Sequence, residues 1–407
     1  MKSLPSPRLL ITPSTQSGRL HWLASWVTPV VAVVAYLAFW PVPVKPVAWV
    51  QAEDAGFTGA YAANHKLAGL KQISLGAHQV GPEHITFHHG WLYTGLLNGD
   101  VLKFSSDGQT REVITNTGGR PLGIDVDAQG RLLVADAMKG VLRVDGSGAA
   151  AKVETLLTTV DDPVAGDPVR FADAVKLAPD GTIWLTDASR HFGARDLNDT
   201  FEASVMDMLE HSCTGRLIAL DPVSLKSRVA LSGICFPNGL AFSKDGKSMF
   251  LSETGSYRIL KIDLSRLSVT RPTQGMTSTP TLSNAITQGA AKVLIDNLPG
   301  YPDNLVRGEN GRFWVGLTKP RTAVVDFAAA HPTLRSITMR LPRFLWPLPK
   351  NHGHVLAFDD TGKVLDDLQD PAGAYPDTTA ATEADGKLFI QSLSAKAIGW
   401  MNYSGPK

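Results

Sequence analysis

Four short segments of this 407-residue sequence place an oxygen-bearing side chain beside proline or small residues. The side chains are those of Glu83, Asp173, Asn238 and Asp303. Taken singly, each is better explained as a turn-forming residue. Taken together they indicate a calcium site, because Ca²⁺ prefers carboxylate and amide oxygens and water completes its shell. Buried carboxylates without a partner are costly, and a cation removes that cost.

A motif that recurs six times must position these residues. Each copy contains a turn with Asp-Gly or a close variant, an apolar strand and, after a polar break, a second strand. The copies begin at His89, Gln129, Asp180, Asp245, Asn310 and Asp385. Such turns tolerate the positive φ that tight hairpins need, and the strands are rich in β-branched and aromatic residues.

These repeats predict an all-β fold, a six-bladed β-propeller over residues 76–407. One small sheet cannot bury both of its faces until its neighbours stack around a central channel. The innermost strand of each blade begins at that channel, so residues ahead of equivalent strands converge on the axis. The predicted fold therefore brings the four oxygen-bearing side chains toward one point.

The later copies are spaced more widely than the earlier ones, which indicates insertions. We expect them at residues 190–212, 264–290 and 318–350. Such loops decorate one rim of a propeller and can roof a pocket. The last insertion is rich in proline and apolar residues, and we expect a packed lid there rather than a contact with lipid.

The N-terminal region contains an apolar segment, residues 22–40, with no charged side chain. It is long enough to span a bilayer, which needs about 20 residues. We therefore predict a cytoplasmic tail at 1–21, a transmembrane signal anchor at 22–44 and a linker at 45–75 that leads into the propeller. The alternative is a cleaved signal peptide, which the length of the segment and the missing small-residue cleavage pattern disfavour.

Charge on either side of this segment predicts the orientation. Basic residues precede it, whereas Glu53 and Asp54 follow it, which places the propeller on the non-cytoplasmic side of the membrane. That side is oxidising, so a disulfide between Cys213 and Cys235 is permitted but not compelled. A pair of buried free thiols is the alternative.

The overall charge excludes one class of partner. The 39 basic and 38 acidic side chains are interspersed, and the net charge is +1. This pattern provides no basic stripe for a nucleic acid.

Four motifs, in this order, carry a family resemblance. They are Gly119-Arg-Pro-Leu-Gly-Ile, Leu133-Val-Ala-Asp-Ala-Met-Lys-Gly, Phe236-Pro-Asn-Gly-Leu and Pro299-Gly-Tyr-Pro-Asp-Asn-Leu. They resemble the strictosidine synthase-like family, in the clan of the senescence marker protein, gluconolactonases and paraoxonases. In hydrolytic members of the clan, such positions hold calcium or another divalent cation. The resemblance implies the ligands Glu83, Asp173, Asn238 and Asp303, with Asn304 as a candidate fifth.

Two positions depart from the family pattern. The second ligand is usually Asn followed by Asp, whereas this chain has Asp173 followed by Ala174, which makes the set more acidic. Strictosidine synthase itself uses a glutamate for its amine–aldehyde condensation, and Thr379 stands at the corresponding position. Threonine cannot exchange a proton near neutral pH as a carboxylate does, so we do not expect that condensation.

The resemblance implies a membrane-anchored, calcium-dependent hydrolase whose substrate is a small ester or lactone. By likeness to lactonases, Asp303 is expected to be both a ligand and the catalytic base. His84 is a weaker candidate, because strand alternation turns it away from the axis. The alternative function is a non-catalytic binding propeller with a structural calcium ion. An open coordination position beneath an apolar pocket favours the hydrolase.

Overall fold

A computed structural model describes residues 17–267 and 279–405, with side chains described from residue 27 onward. Within these residues the chain forms six four-stranded antiparallel sheets, and the six-bladed propeller is confirmed. Helix α1 (Ser17–Phe39) and strand β1 (Lys71–Ser74) precede the first blade.

The first five blades are built from consecutive strands. Blade one comprises β2 (Ile85–His88), β3 (Trp91–Gly95), β4 (Asp100–Ser105) and β5 (Arg111–Asn116). Blade two comprises β6 (Pro121–Val126), β7 (Leu132–Asp136), β8 (Gly140–Asp145) and β9 (Lys152–Leu157). A hairpin of β10 (Thr159–Val160) and β11 (Asp167–Pro168) follows. Blade three comprises β12 (Ala172–Leu177), β13 (Ile183–Asp187), β14 (Gly215–Leu220) and β15 (Ser227–Ile234).

The later blades follow the same order. Blade four comprises β16 (Pro237–Phe242), β17 (Ser248–Glu253), β18 (Arg258–Asp263) and β19 (Ala291–Ile295). Blade five comprises β20 (Gly300–Arg307), β21 (Phe313–Pro320), β22 (Gly353–Phe358) and β23 (Val364–Asp370). Blade six contains β24 (Thr378–Ala384), β25 (Lys387–Ser392) and β26 (Ala397–Asn402), and β1 is its outermost strand.

Strand β1 closes the ring of blades. It pairs antiparallel with β26, with Lys71 opposite Trp400 and Ser74 opposite Ala397. The sixth blade is therefore assembled from both ends of the propeller sequence. The strand lies inside the segment 45–75 that the sequence assigned to the lead-in.

Each of the six sequence repeats forms the second and third strands of one blade. Its turn connects the innermost strand to the second strand and contains a glycine with positive φ, for example Gly181 at +89°. An L side chain rarely adopts this conformation, which explains the recurrent Asp-Gly and Asn-Gly.

The apolar core lies between neighbouring blades. Trp184 and Leu217 of blade three, for example, belong to one buried cluster with Leu240 and Leu251 of blade four. Similar clusters join the other pairs of neighbours, including blades six and one. Each sheet thus buries its faces against the next, which fixes the innermost strands around the axis.

The insertions carry the helices that follow α1. The first holds α2 (Ala194–Leu197) and α3 (Thr200–Glu210), the second α4 (Leu282–Thr287), and the third α5 (Ala323–Ala329) and α6 (Pro332–Arg340). Helix α4 packs against the outer strands of blades three and four through Leu282 and Ala285. The second insertion therefore covers the side of the propeller in its described part, and its residues 268–278 lie outside the described residues.

Helix α1 overlaps the predicted anchor. Its side chains from Val27 to Phe39 are mostly exposed, with Val30 at 60% and Phe39 at 82%. Arg340 of α6 donates to the carbonyls of Leu37 and Trp40 at 3.1 and 2.6 Å. Among the residues whose side chains are described, no helix meets the length and hydropathy that a membrane span requires. The transmembrane anchor therefore stays a prediction.

Candidate functional site

The innermost strands share a backbone irregularity at the axis. In β6, β12, β16, β20 and β24 the pairing with the next strand shifts register immediately after the first residues, as a β-bulge does. The shifts span residues 122–123, 173–174, 238–239, 303–304 and 379–380. Bulges re-aim side chains and are frequent beside functional sites.

The four predicted site residues occupy equivalent positions in this pattern. Asp173, Asn238 and Asp303 are each the first residue of a bulge. Glu83 precedes Ile85, the first paired residue of β2, by the same two positions. The remaining blades place Leu122 and Thr379 there. Six equivalent positions thus form a ring, which we call the axial ring, and four of them carry the predicted ligands.

The axial ring is buried. The exposed fractions are 1% for Glu83, 3% for Asp173, 4% for Asn238 and 6% for Asp303. Each of these residues has one side-chain oxygen without a hydrogen-bond partner, and so does the fully buried Asn304. Buried polar atoms are almost always hydrogen-bonded, so five orphaned oxygens in one place need an explanation.

Burial and mutual repulsion raise the pKa values of the three carboxyl groups. The pKa of Glu83 rises from 4.5 to about 7, mainly through burial, while Arg120 and Asn304 act in the opposite direction. Burial raises the pKa values of Asp173 and Asp303 well above 3.8, and the charge of Glu83 raises them further. Three carboxylates so placed need positive charge to be ionised together.

The residues present fit a divalent cation. Three carboxylates, the amide of Asn238 and the amide of Asn304 supply the hard oxygen ligands that Ca²⁺ accepts. Asn304 also donates from its amide nitrogen to Glu83 Oε1 at 2.6 Å, which orients that carboxylate. Glu83, Asp173, Asn238, Asp303 and Asn304 are thus the residues that would hold the ion.

Hydroxyl groups from neighbouring blades hold the main chain of the axial ring. Thr186 of blade three donates to the carbonyl of Asn238 at 2.9 Å. Ser252 of blade four donates to the carbonyl of Asp303. Thr379 of blade six donates to the carbonyl of Glu83. The ring positions are therefore fixed relative to one another by bonds that cross from blade to blade.

Small residues follow four of the six ring positions, where neighbouring innermost strands come close together. A Cβ on Gly239 would lie 2.0 Å from the amide nitrogen of Leu305 in the next blade. The same steric limit explains the Asn-Gly of the motif Phe236-Pro-Asn-Gly. This motif carries the family resemblance in the sequence, whereas its packing role depends on the neighbouring strand.

Arg120 is a site residue that sequence analysis missed. Its guanidinium is 1% exposed, donates to the carbonyl of Gly81 at 3.2 Å and leaves Nε without a partner. Burial lowers its pKa, whereas Glu83, Asp136, Asp173 and Asp303 raise it, which places its charge beside the axial ring. The signal available was a basic residue immediately before a strand that begins at the axis.

His84 is buried beside the ring but has no partner for either ring nitrogen. Burial lowers its pKa well below 6.5, so the imidazole is neutral. It does not line the cavity described next.

A cavity of 310 Å³ lies over one side of the axial ring. Asn238 and Asp303 form part of its floor, and its walls come from α3, α5, α6 and residues 346–349. The first and third insertions therefore do roof a pocket, as the sequence indicated. The structure brings the predicted base, Asp303, to the boundary between the ring and this cavity.

Helices α3, α5 and α6 and residues 346–349 form a lid over the cavity. A disulfide between Cys213 and Cys235 joins this lid to the site. Cys213 follows α3, and Cys235 stands immediately before Phe236, which lines the cavity. The sequence left this bond open, and the structure forms it. His211 lies close to both sulfur atoms, but these atoms are already bonded to each other in the disulfide.

Fold and site together define a class of protein, a six-bladed propeller with buried carboxylate and amide side chains around its axis. The model for the SMP-30/gluconolactonase/LRE-like region matches residues 85–344, and that for the strictosidine synthase-like N-terminal region matches residues 59–104. Strictosidine synthase-like protein 7 of Arabidopsis thaliana is 31% identical over 82% of this chain and 81% of its own length. The chain therefore belongs to the SMP-30/gluconolactonase and strictosidine synthase-like family.

Other relatives agree with this assignment. The adipocyte plasma membrane-associated protein of Danio rerio is 26% identical over 93% of this chain and 90% of its own length. Among solved structures, a gluconolactonase from Xanthomonas campestris aligns with a TM-score of 0.55 and 19% identity, covering 89% of this chain and 99% of that one. The calcium-binding protein regucalcin from Agrobacterium tumefaciens aligns with a TM-score of 0.50 and 14% identity, covering 80% and 90%. These structural likenesses show the fold.

Proposed function

We propose that the propeller is a calcium-dependent hydrolase of esters or lactones and not a strictosidine synthase. The observation that carries the proposal is the contact between the apolar cavity and the axial ring through Asn238 and Asp303. A purely structural ion would be enclosed on all sides, whereas a hydrolase needs its ligands to face a substrate pocket. Gluconolactonases and regucalcin share the fold, which agrees with this chemistry.

Each group in the site has a part in the proposed reaction. A bound divalent cation supplies Lewis-acid polarisation of a carbonyl and lowers the pKa of water. Asp303 accepts the proton of the attacking water and returns it to the departing alkoxide, because it is the carboxylate of the axial ring that faces the cavity. The lid helices exclude bulk water from the reacting carbonyl.

Thr379 argues against the synthase reaction. Its hydroxyl is buried and donates to the carbonyl of Glu83, so it holds the main chain of the axial ring. It has no carboxylate with which to exchange a proton near neutral pH.

The N-terminal helix is proposed as a membrane anchor with the propeller on the non-cytoplasmic side. Support comes from the charge-free apolar segment, from the basic residues before it and from a relative that is named for its association with the plasma membrane. The Cys213–Cys235 disulfide agrees with an oxidising compartment.

Asp303→Asn tests the catalytic assignment against Glu83→Gln as a matched control. Each variant converts one carboxylate of the axial ring to an amide, so both are expected to weaken calcium binding. At saturating calcium, Asp303→Asn is expected to lose a further 10²- to 10⁴-fold in kcat, about the contribution of a general base, whereas Glu83→Gln stays within about tenfold of wild type. The measurement is turnover of a panel of aryl esters and lactones against calcium concentration.

Two results would contradict the proposal. If Asp303→Asn matches Glu83→Gln at saturating calcium, Asp303 is a ligand only. If calcium raises the melting temperature of wild type but no ester or lactone is turned over, the propeller is a binding protein with a structural ion.

A further inference from the structure

The walls of the cavity above Asp303 are apolar. They are formed by Phe201, Val205 and Met208 of α3, by Val325 and Ala328 of α5, and by Trp346. Apolar walls of this kind stabilise a ligand through removal of hydrocarbon from water, in proportion to the apolar area buried.

Most polar groups in the walls are engaged within the protein, and the exception is Nε of the buried Arg335, which has no hydrogen-bond partner. The hydroxyls of Ser204 and Thr338 donate to main-chain carbonyls of their own helices at 2.8 and 3.0 Å. Thr254 donates to the carbonyl of Pro302 at 2.6 Å, and the ammonium of Lys319 pairs with Asp377 at 2.6 Å. A polyhydroxylated ligand would find few free donors here, and its desolvated hydroxyls would be poorly compensated.

The rim of the cavity includes large exposed apolar side chains, beside the ion pair of Arg343 with Glu202. Phe201 and Leu348 line the cavity and are 43% and 45% exposed. Phe344 and Leu345, the two residues before Trp346, are 84% and 53% exposed. An apolar ligand therefore meets hydrocarbon on its way from the surface to the floor. An exposed group of large apolar side chains at a pocket mouth marks a binding site rather than a random surface.

We infer that the cavity binds the acyl chain of a lipophilic ester or lactone, with the reacting carbonyl on the floor beside Asn238 and Asp303. This inference rests on the proposed hydrolase function. Water adds to the carbonyl carbon and the bond between that carbon and the alkoxy oxygen breaks, which gives a fatty acid and an alcohol from an ester or a single hydroxy acid from a lactone. The proton of the water passes through Asp303 to the alkoxide, so no further reactant is needed.

The test compares p-nitrophenyl acetate, butyrate and octanoate with glucono-δ-lactone, using the full chain in detergent with excess calcium. We expect kcat/KM for the octanoate to exceed that for the acetate by about tenfold or more, since each buried methylene contributes to binding of the transition state. Glucono-δ-lactone is expected to be a poor substrate. Equal rates along the ester series, or faster turnover of glucono-δ-lactone, would overturn the inference.

A substitution that fills the cavity should remove the preference for long acyl chains. Ala328→Trp places a large ring among the walls, whereas Ala323→Trp makes the same change on the exposed N-terminal end of α5. We expect the octanoate-to-acetate ratio to fall about tenfold in the first variant and to stay unchanged in the second. If Ala328→Trp does not fold, Val325→Phe is the smaller substitution at the same wall. A preserved ratio in a folded variant contradicts the assignment of the cavity.

Binding separates this inference from the proposed function. If no ester or lactone is turned over, the proposed function fails, and a fluorescent fatty acid is then titrated onto the calcium-loaded chain. Saturable binding that Ala328→Trp weakens and Ala323→Trp does not supports the acyl site. Absence of such binding contradicts it.

Discussion

Arg120 adds a buried positive charge beside the carboxylates of the axial ring. Burial lowers the pKa of its guanidinium, and the charges of Glu83, Asp173 and Asp303 oppose that shift. A fixed positive charge beside three carboxylates lowers their repulsion when no metal is bound. The same charge repels an incoming cation. Arg120 is therefore expected to stabilise the metal-free protein and to weaken metal binding.

Arg120→Met tests both effects, on stability without metal and on calcium affinity. We expect a lower melting temperature in chelator, because the carboxylates lose their counter-charge, and a larger rise in melting temperature on addition of calcium. The calcium Kd is expected to fall by about tenfold, the effect of roughly 1.4 kcal/mol of repulsion removed. Calorimetric titration and thermal melts measure both quantities. Arg143→Met, at an exposed ion pair with Glu154 in the same blade, is the control. A weaker calcium affinity in Arg120→Met would show that Arg120 supports the ring sterically instead.

Sequence patterns were sufficient to bring Glu83, Asp173, Asn238 and Asp303 together, because propeller repeats place equivalent residues at equivalent distances from the axis. They were insufficient for Arg120. A basic residue is not a metal ligand, so ligand chemistry gave no reason to select it. The bulge that aims the ring side chains was also invisible, since it depends on pairing between strands.

At the scale of single elements, helix α3 contains a buried carboxyl group that lies outside the axial ring. Asp207 is 2% exposed, and burial raises its pKa from 3.8 to about 7, with the nearby Glu210 adding to the rise and the Ser189 hydroxyl opposing it. The folded protein therefore retains this proton between about pH 4 and pH 7, whereas the unfolded chain releases it. Stability is lost as pH rises through this window.

Asp207→Asn is expected to remove that dependence. The variant should match wild type near pH 4 and become the more stable protein above pH 7, gaining at most about 1.4 kcal/mol over wild type for each pH unit crossed inside this window. Melting temperatures from pH 4 to 8 in excess calcium measure the effect while the axial ring stays ionised. Glu202→Gln, at an exposed site on the same helix, serves as the control. Parallel curves for Asp207→Asn and wild type would show that Asp207 is ionised in the folded lid.

The strands were predictable and the lid helices were not. Alternating apolar strands separated by Asp-Gly turns identify a blade from one repeat alone. Helix α3, in contrast, has apolar residues such as Val205 and Met208 facing a cavity and others such as Ala203 facing the propeller. This division hides the single apolar stripe by which a surface helix is recognised.

At the scale of the whole molecule, the segment between α1 and β1 is part of the packed structure. Val44 is 3% exposed and packs with Leu122, Phe171 and Phe236 beneath the lid. The amides of Lys45 and Val47 donate to Glu210 of α3 at 2.8 Å. The last residue of the predicted anchor and the predicted linker thus join the lid to the ring of blades, and the linker contains the strand that closes blade six.

N-terminal truncations separate these contributions. The fragment 41–407 keeps Val44 and β1 and is expected to fold without detergent and to melt as the full chain does. The fragment 46–407 loses Val44 and the bond from Lys45, and we expect its free energy of unfolding to fall by about 2 kcal/mol or more. The fragment 76–407 lacks β1, so blade six is left with an open edge, and aggregation is expected. Denaturant unfolding and size-exclusion chromatography distinguish the three. Equal stability of 41–407 and 46–407 would show that Val44 is dispensable, and a monomeric, cooperatively folding 76–407 would refute the role of β1 in closing the ring.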